Sequence, residues 1–313
     1  MSTTLVTGGA GFIGSNLVGE LCRRGEQVRV LDALSTGRRA NLDAVAQRID
    51  WIEGDVADPK TAARAVEGVE AVVHLAALVS VTRSIAAPQE AHHTNAEGTL
   101  VLLEAARRAG VRRLVYAGSA SAYGDSAELP KRESMPPEPR SPYAASKLAG
   151  EHYALGWFAC YGLETVVVRY FNVYGPRQEP ASPYAAVIPR FARAVLMGEA
   201  PVVYGDGRQT RDFCFVDDAV QATLAACAAP RAAGRVINVA SGESYSLLDV
   251  IERLGKGLGR RVVPRFEPER TGDIRDSLAD IALARDLLGF EARVRLDEGL
   301  VRTLAWMRSE GHS

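Results

Sequence analysis

Over the first half of the chain, short apolar runs rich in β-branched residues alternate with longer stretches in which apolar positions recur every three or four residues. The runs TTLVTG, QVRVLD, IDWIEGDV, AVVHLAA, RRLVYAGS and ETVVVRYFNVYG predict strands. GFIGSNLVGELCRRG predicts a helix closed by Gly25, and EGTLVLLEAARRAG an amphipathic helix stopped by Gly110. Strands alternating with helices imply βαβ units and a parallel sheet. A sheet covered on both faces explains why its strands are almost continuously apolar rather than alternating. After about Gly175 the pattern loosens into proline-containing loops, short strands and isolated helices, so a smaller second lobe is expected there.

Composition narrows the class. The chain has 313 residues, 47% of them hydrophobic, and a formal net charge of -1. That charge carries no basic footprint for nucleic acid. Apolar runs fall short of the ~18 residues that a membrane span needs. The strand-like run begins almost at the first residue, which argues against a leader segment. Cys22, Cys160, Cys214 and Cys227 are scattered, without a C-x-x-C, as free thiols of a reducing cytoplasm would be. The five histidines form no metal set; His92 and His93 are adjacent, diverge on a helix, and read as structural or exposed.

The chemistry starts at LVTGGAGFIGSNL, where Gly8, Gly11 and Gly14 stand between a strand and a helix. Glycines at this spacing allow a tight turn, let backbone approach a pyrophosphate and seat the helix on the sheet. The helix N-terminus then offers free N–H groups to phosphate. Asp32 ends the second strand, 18 residues beyond Gly14, where a carboxylate can accept from a ribose diol. A 2'-phosphate would be repelled there, so NAD is expected over NADP; Arg38 and Arg39 close behind pull the other way. These features predict an α/β fold with a Rossmann-type doubly wound parallel sheet. Residues 1–175 would form the NAD-binding domain and 176–313 mainly a substrate lobe, with a segment near 213–240 returning to the first.

A second pattern is SPYAASK. Ser141 suits a helix cap and Pro142 a first helical turn. Tyr143 and Lys147 then share one helical face. An ammonium beside a phenol favours the phenolate, which can take a proton from an alcohol.

Together with GDV (54–56), HLAA (74–77), Asn95 and GSASAYG (118–124), these motifs resemble the extended short-chain dehydrogenases/reductases. RYFNVYGPRQ, VIPRF, GDGRQTRDFCFVDD and RTGDIRDSLAD narrow the resemblance to the nucleotide-sugar epimerases, of the UDP-galactose or UDP-N-acetylglucosamine 4-epimerase type. It spans essentially the whole chain. What it implies is an isomerase that oxidises the sugar at C4, lets the 4-keto intermediate swing over, and reduces its other face. Ser119 would hydrogen-bond the reacting oxygen, Tyr143 would be the base, and Lys147 would bind the nicotinamide ribose. The resemblance assigns Gly8, Gly11, Phe12, Ile13 and Gly14 to the pyrophosphate, Asp32 to ribose and Asp55 and Val56 to adenine. It sets Ala76 and Ala77 under the adenosine, Asn95 at a helix start that orders the cofactor side, and Tyr170 beside the nicotinamide. For a UDP-sugar it implies Ser121 near the hexose, Asn172 at the diphosphate or the hexose, Arg211 at the diphosphate, Arg270 and Asp273 at phosphate and the uridine ribose, and Val187 and Tyr204 flanking uracil. Ser277, four positions after Asp273, falls where a bulky tyrosine excludes N-acetylated sugars. Val79 departs from a lysine found in some galactose epimerases, which would loosen NAD. Asp217 and Asp218 are expected to cap the following helix. No metal is expected. A homodimer through helices near 95–109 and 143–161 is.

Three rivals remain. A 4,6-dehydratase uses an acid–base pair where this chain has Ala120 and Ser121. A UDP-glucuronate epimerase often carries arginine after GPRQ, where Glu179 here would repel the sugar carboxylate. A non-catalytic NAD-binding protein would be expected to lack the tyrosine or the lysine.

Overall fold

The computed structural model describes residues 3–180, 185–269 and 275–311. Seven parallel strands make the main sheet. They are β1 (Thr3–Thr7), β2 (Gln27–Asp32), β3 (Ile49–Glu53), β4 (Val69–His74), β5 (Arg113–Ser119), β6 (Glu164–Tyr170) and a final strand, Arg235–Val239. Across the sheet the order is Arg235–Val239, β6, β5, β4, β1, β2, β3. The winding direction reverses between β1 and β4, so this is a Rossmann-type doubly wound sheet. Its ligand crevice is expected outside the carboxyl ends of the strands at that switch point.

Alternation along each strand sends side chains to two cores. Leu5, Leu31, Val72, Leu114, Tyr116 and Val167 face helices Pro59–Val66, Gly98–Arg108 and Pro142–Tyr161. Val6, Val30 and Val73 face helix Phe12–Arg23 through Leu17 and Leu21. A fully buried leucine of this kind contributes about 1.5–3 kcal/mol.

The helix foreseen in SPYAASK runs from Pro142 to Tyr161. The Ser141 hydroxyl accepts from the Ala144 N–H at 3.1 Å, Pro142 opens the first turn, and Gly162 at φ 71° closes the helix. Two local expectations need correction. ETVVVRYFNVYG is not one strand: β6 ends at Tyr170, Asn172 takes φ 30°, and Val173–Tyr174 pairs instead with Cys214–Phe215. Asn95 does not start a helix. It lies in a π-helical turn, His93–Glu97, between helices Pro88–His92 and Gly98–Arg108.

Beyond β6, helix Val216–Ala228 packs on the sheet beside β5 and β6. Helices Val187–Leu196, Leu247–Gly257 and Leu296–Ser309 share a core with helix Phe12–Arg23. Two strand pairs, Val202–Tyr204 with Arg265–Glu267 and Thr210–Asp212 with Ser244–Ser246, frame the crevice side. Asp217 and Asp218 lie in the first turn of helix Val216–Ala228 rather than at its cap, which is Phe215. Asp218 instead accepts from the Arg293 and Val294 N–H groups, and Asp217 pairs with Arg302. No described helix is long and apolar enough to cross a membrane.

Candidate active site

The glycine loop leaves room that side chains would remove. A Cβ on Gly8 would lie 2.7 Å from the Ala76 nitrogen, and one on Gly14 would lie 2.1 Å from the Gly8 carbonyl oxygen. Gly8 also holds φ 69°, a region that L side chains rarely adopt. Gly11 precedes helix Phe12–Arg23, and no side chain caps it. The residues therefore fit a pyrophosphate held by backbone N–H groups. Ala76, just past β4, packs against this loop, its N–H donating to Thr7 Oγ1 at 3.2 Å.

Asp32 accepts from the Ala10 and Leu34 N–H groups at 2.9 and 2.8 Å, so the ribose-side carboxylate is braced against the glycine loop. Burial pushes its pKa up, against those two hydrogen bonds. Both neighbouring arginines are engaged: Arg38 pairs with Glu179, and the Arg39 guanidinium lies 4.0 Å from the centroid of the Trp51 ring. Past β3, Asp55 accepts from the Ala57 N–H and pairs with His93, while Val56 packs under Gly98.

The catalytic candidates meet at the carboxyl end of β5. The Ser121 hydroxyl donates to Ser119 Oγ at 2.8 Å, and Ser119 hydrogen-bonds the Tyr143 phenol. Burial raises the Tyr143 pKa and the Ser119 bond opposes the rise. Lys147, only 5% exposed, sets its ammonium 4.4 Å from the centroid of the Tyr116 ring. Burial draws its pKa down to about 7, with the Glu151 charge resisting. Behind them, His74 is locked between Thr7 Oγ1 at 2.7 Å and Thr99 Oγ1 at 3.0 Å. Thr99 spends its proton on the Asn95 carbonyl, so His74 Nε2 donates to Thr99 and Nδ1 accepts from Thr7. Burial, aided by Lys147, lowers the His74 pKa to about 3 and keeps the ring neutral.

The sequence did not single out Ser84 or Glu151, and it gave Asn95 no partners. Ser84 Oγ accepts from the Tyr143 N–H at 3.0 Å and fixes the first turn of the helix. Asn95 uses its whole amide: Oδ1 accepts from Leu78 N–H, and Nδ2 donates to the Leu78 carbonyl and to Ser146 Oγ. Asn95 is thus a clamp between the loop after β4 and the catalytic helix. Glu151 forms a bidentate pair with Arg169, at 2.9 and 2.5 Å. Its signal was present, because Tyr143, Lys147 and Glu151 repeat at four-residue spacing.

Tyr170 closes β6 in register with Ser119 at the end of β5, and its hydroxyl bonds Thr223 of helix Val216–Ala228 at 2.5 Å. Glu179 pairs with Arg38, beside the ribose end of the glycine loop. Repulsion of a sugar carboxylate by Glu179 therefore no longer argues against a glucuronate.

On the lobe side, Asn172 donates to the Asp212 carbonyl at 2.9 Å, and Arg211 lies against the Thr210 and Arg275 carbonyls. Ser277 is fixed alongside: its N–H donates to the Thr210 carbonyl at 3.1 Å. One turn beyond Val187, Arg190 lies 5.7 Å from the centroid of the Tyr204 ring, which brings Val187 and Tyr204 into one neighbourhood. Asp212 is fully buried and accepts from Ser241 N–H and Oγ, Gly242 N–H and Ala279 N–H. It joins three segments of the lobe, and burial raises its pKa to about 6. Arg270 and Asp273 lie outside the described residues. Val79 is 69% exposed. Among the described residues, no group of His, Cys, Asp or Glu could hold a metal ion.

A dinucleotide-binding fold with a serine at the end of β5 and a tyrosine and a lysine on the next α-helix is the arrangement of the short-chain dehydrogenase/reductase class. Residues 4–240 match the NAD dependent epimerase/dehydratase family. The chain belongs to that family. It is 40% identical to the UDP-glucose 4-epimerase of Mycolicibacterium smegmatis over 98% of this chain and 99% of that one. It is 39% identical to the dTDP-glucose 4,6-dehydratase of Streptomyces niveus over 97% and 92%. Among solved structures, the UDP-N-acetylglucosamine 4-epimerase from Methanobrevibacter ruminantium, in complex with UDP-N-acetylmuramic acid, superposes with a TM-score of 0.94 at 37% identity, covering 99% of each chain. Relatives of almost equal identity thus carry out different reactions.

Proposed function

We propose that this protein is an NAD-dependent UDP-hexose 4-epimerase that interconverts UDP-Glc and UDP-Gal, and UDP-GlcNAc and UDP-GalNAc. One observation carries the choice of epimerisation over dehydration. Beside Ser119 stand Ala120 and Ser121, and the Ser121 hydroxyl is spent on Ser119. Elimination of water across C5 and C6 needs an acid and a base there, and neither residue supplies them.

The residues that would hold NAD are the glycine loop, Asp32, the Asp55–Val56 and Ala76–Ala77 segments, and Lys147. When bound, NAD accepts and returns the C4 hydride. The chain does the rest. Ser119 hydrogen-bonds the C4 oxygen, and Tyr143 takes its proton and gives it back. Lys147 supplies positive charge next to the phenol. Arg211 and Asn172 orient the diphosphate, and Ser277 leaves space for an acetamido group.

A second reading, UDP-glucuronate 4-epimerase, gains from the Arg38–Glu179 pair, which occupies the carboxylate that would have disfavoured it. A panel of UDP-Glc, UDP-GlcNAc, UDP-GlcA and dTDP-glucose separates these readings. Turnover of UDP-GlcA alone would replace the first by the second. Release of a 4-keto-6-deoxy sugar would refute both, and absence of any turnover by an NAD-loaded protein would favour a non-catalytic role.

We also propose a homodimer through helices Gly98–Arg108 and Pro142–Tyr161. Tyr153, Phe158 and Tyr161 are exposed on the second helix. The Trp157 indole N–H is buried without a partner among the described residues. Sedimentation at micromolar concentration tests it.

A further inference from the structure

Cofactor choice in this fold is usually argued from the residue at the end of β2, here Asp32. A second device stands beside it. Gly37 lies so close to Asp32 that a Cβ there would be 3.0 Å from Oδ2. The next residue, Arg38, is tied to the glycine loop: its N–H donates to the Ala10 carbonyl at 3.0 Å, and Asn41 Nδ2 reaches the same carbonyl at 2.8 Å. The Arg38 backbone is therefore rooted beside the ribose-side carboxylate, where a 2'-phosphate would gain from a guanidinium that reached it. The Arg38 charge is compensated from about 140 residues away along the chain by Glu179.

Glu179 does not reach Arg38 on a loose loop. Asn16 Nδ2 donates to the Pro176 carbonyl at 3.1 Å, and Arg177 Nη1 donates to the Ser15 carbonyl at 2.9 Å. Both anchors are on helix Phe12–Arg23, which begins at the glycine loop. The loop is strapped to the same helix that the pyrophosphate would cap, so the carboxylate is delivered in register with Arg38. Arg39 is engaged separately, on Trp51.

We infer that Glu179 is a specificity-determining residue for the cofactor: by holding the Arg38 guanidinium it keeps a ready-made 2'-phosphate partner out of use and favours NAD over NADP. This rests on reading Asp32 and the glycine loop as an NAD site. The inference concerns selectivity, not chemistry, and binding alone tests it.

The test is equilibrium binding of NAD and of NADP, by calorimetry, to the full chain freed of nucleotide. Wild type is compared with Glu179→Gln, Arg38→Ala and the double variant. Both side chains are partly exposed, at 55% for Arg38 and 30% for Glu179, so neither change removes core. An exposed charge contact is modest, so Glu179→Gln should tighten NADP by about two- to fivefold and leave NAD within about twofold. The gain should shrink at high salt, as screening demands. It should vanish in the double variant, because Arg38 is its source. An unchanged NADP affinity in Glu179→Gln overturns the inference, as does a gain that survives removal of Arg38. Failure of wild type to bind NAD would overturn the cofactor reading itself, which is a separate result.

Discussion

Glu151→Gln tests the electrostatic support of the site. The substitution keeps volume and shape but removes the charge that Arg169 needs. The two side chains are 3% and 4% exposed, and the guanidinium also lies 4.6 Å from the centroid of the Tyr123 ring. Burial alone would lower the Arg169 pKa, yet it is raised, because the Glu151 hydrogen bonds and charge outweigh the burial. A glutamine offers one oxygen to two donors and turns an NH2 toward a group that cannot accept. Breaking a buried pair from one side costs about 3–5 kcal/mol. For a chain of this size that lowers the melting temperature by roughly 6–20 °C, at about 2–4 °C per kcal/mol. Replacing both partners, as Glu151→Leu with Arg169→Met, should cost less than the single change, since no orphan charge remains. The same substitution reaches Lys147 one turn away. Glu151 is the charge that resists its low pKa, so the pKa should fall further below about 7. Turnover of UDP-Glc should then fail at lower pH on the alkaline side. Urea melts at pH 7 and a pH profile of turnover measure the two effects. A single variant within about 1 kcal/mol of wild type, or a double variant no better than the single, would refute the reasoning.

Tyr143→Phe should retain NAD and UDP-sugar binding and lose about 10²–10⁴-fold in turnover, read by coupled assay; near-normal turnover sinks the proton-transfer role. Ser277→Tyr should suppress the N-acetylated pair selectively while sparing UDP-Glc and UDP-Gal; equal losses on both pairs would reject it as a size gate. The Lys147 pKa is depressed in the fold, so between about pH 7 and its ordinary value near 10.5 the unfolded chain holds a proton that the folded one lacks. Stability of the ligand-free protein from this group therefore rises with pH across that window and is lost as pH falls through about 7. Lys147→Met should flatten that slope in chemical melts, and an unchanged slope would contradict the burial of the ammonium.

Much of this was legible in the chain because it is local. A strand must be apolar to lie in a sheet covered on both sides, and LVYAGS and VVVRY are. A helix start must be capped, and Ser141–Pro142 says so. What was not legible depends on which face a side chain takes at the end of a strand, or on partners far apart in sequence. Tyr170 could be placed at the end of its strand from motif position alone; its hydroxyl bond to Thr223, 53 residues on, needed the fold. Glu179 could be set in the sugar pocket because it follows GPRQ; only the fold brings it to Arg38. Asn95 was found, but its role as a clamp needed Leu78 and Ser146 in view. Asp212 sits in a motif that was read for its arginine, while the buried carboxylate next door fastens the lobe.

The charge states of the pocket bind these observations together. Burial raises Tyr143, lowers Lys147 to about 7 and keeps His74 neutral. Without a ligand, then, this pocket holds a protonated phenol beside a lysine near the midpoint of its titration. That is a poor base at neutral pH. A tyrosine with a pKa above 10 becomes a proton acceptor only if positive charge is added next to it while water stays out. The neutral His74–Thr7–Thr99 chain contributes shape but no charge, and Glu151 is committed to Arg169, so the helix face offers only Lys147 as a cation. NAD+ held by the glycine loop and Lys147 would supply the missing charge. On the proposed reading, Tyr143 would then become a base only when the hydride acceptor is in place, which would tie proton removal to the presence of the group that must take the hydride.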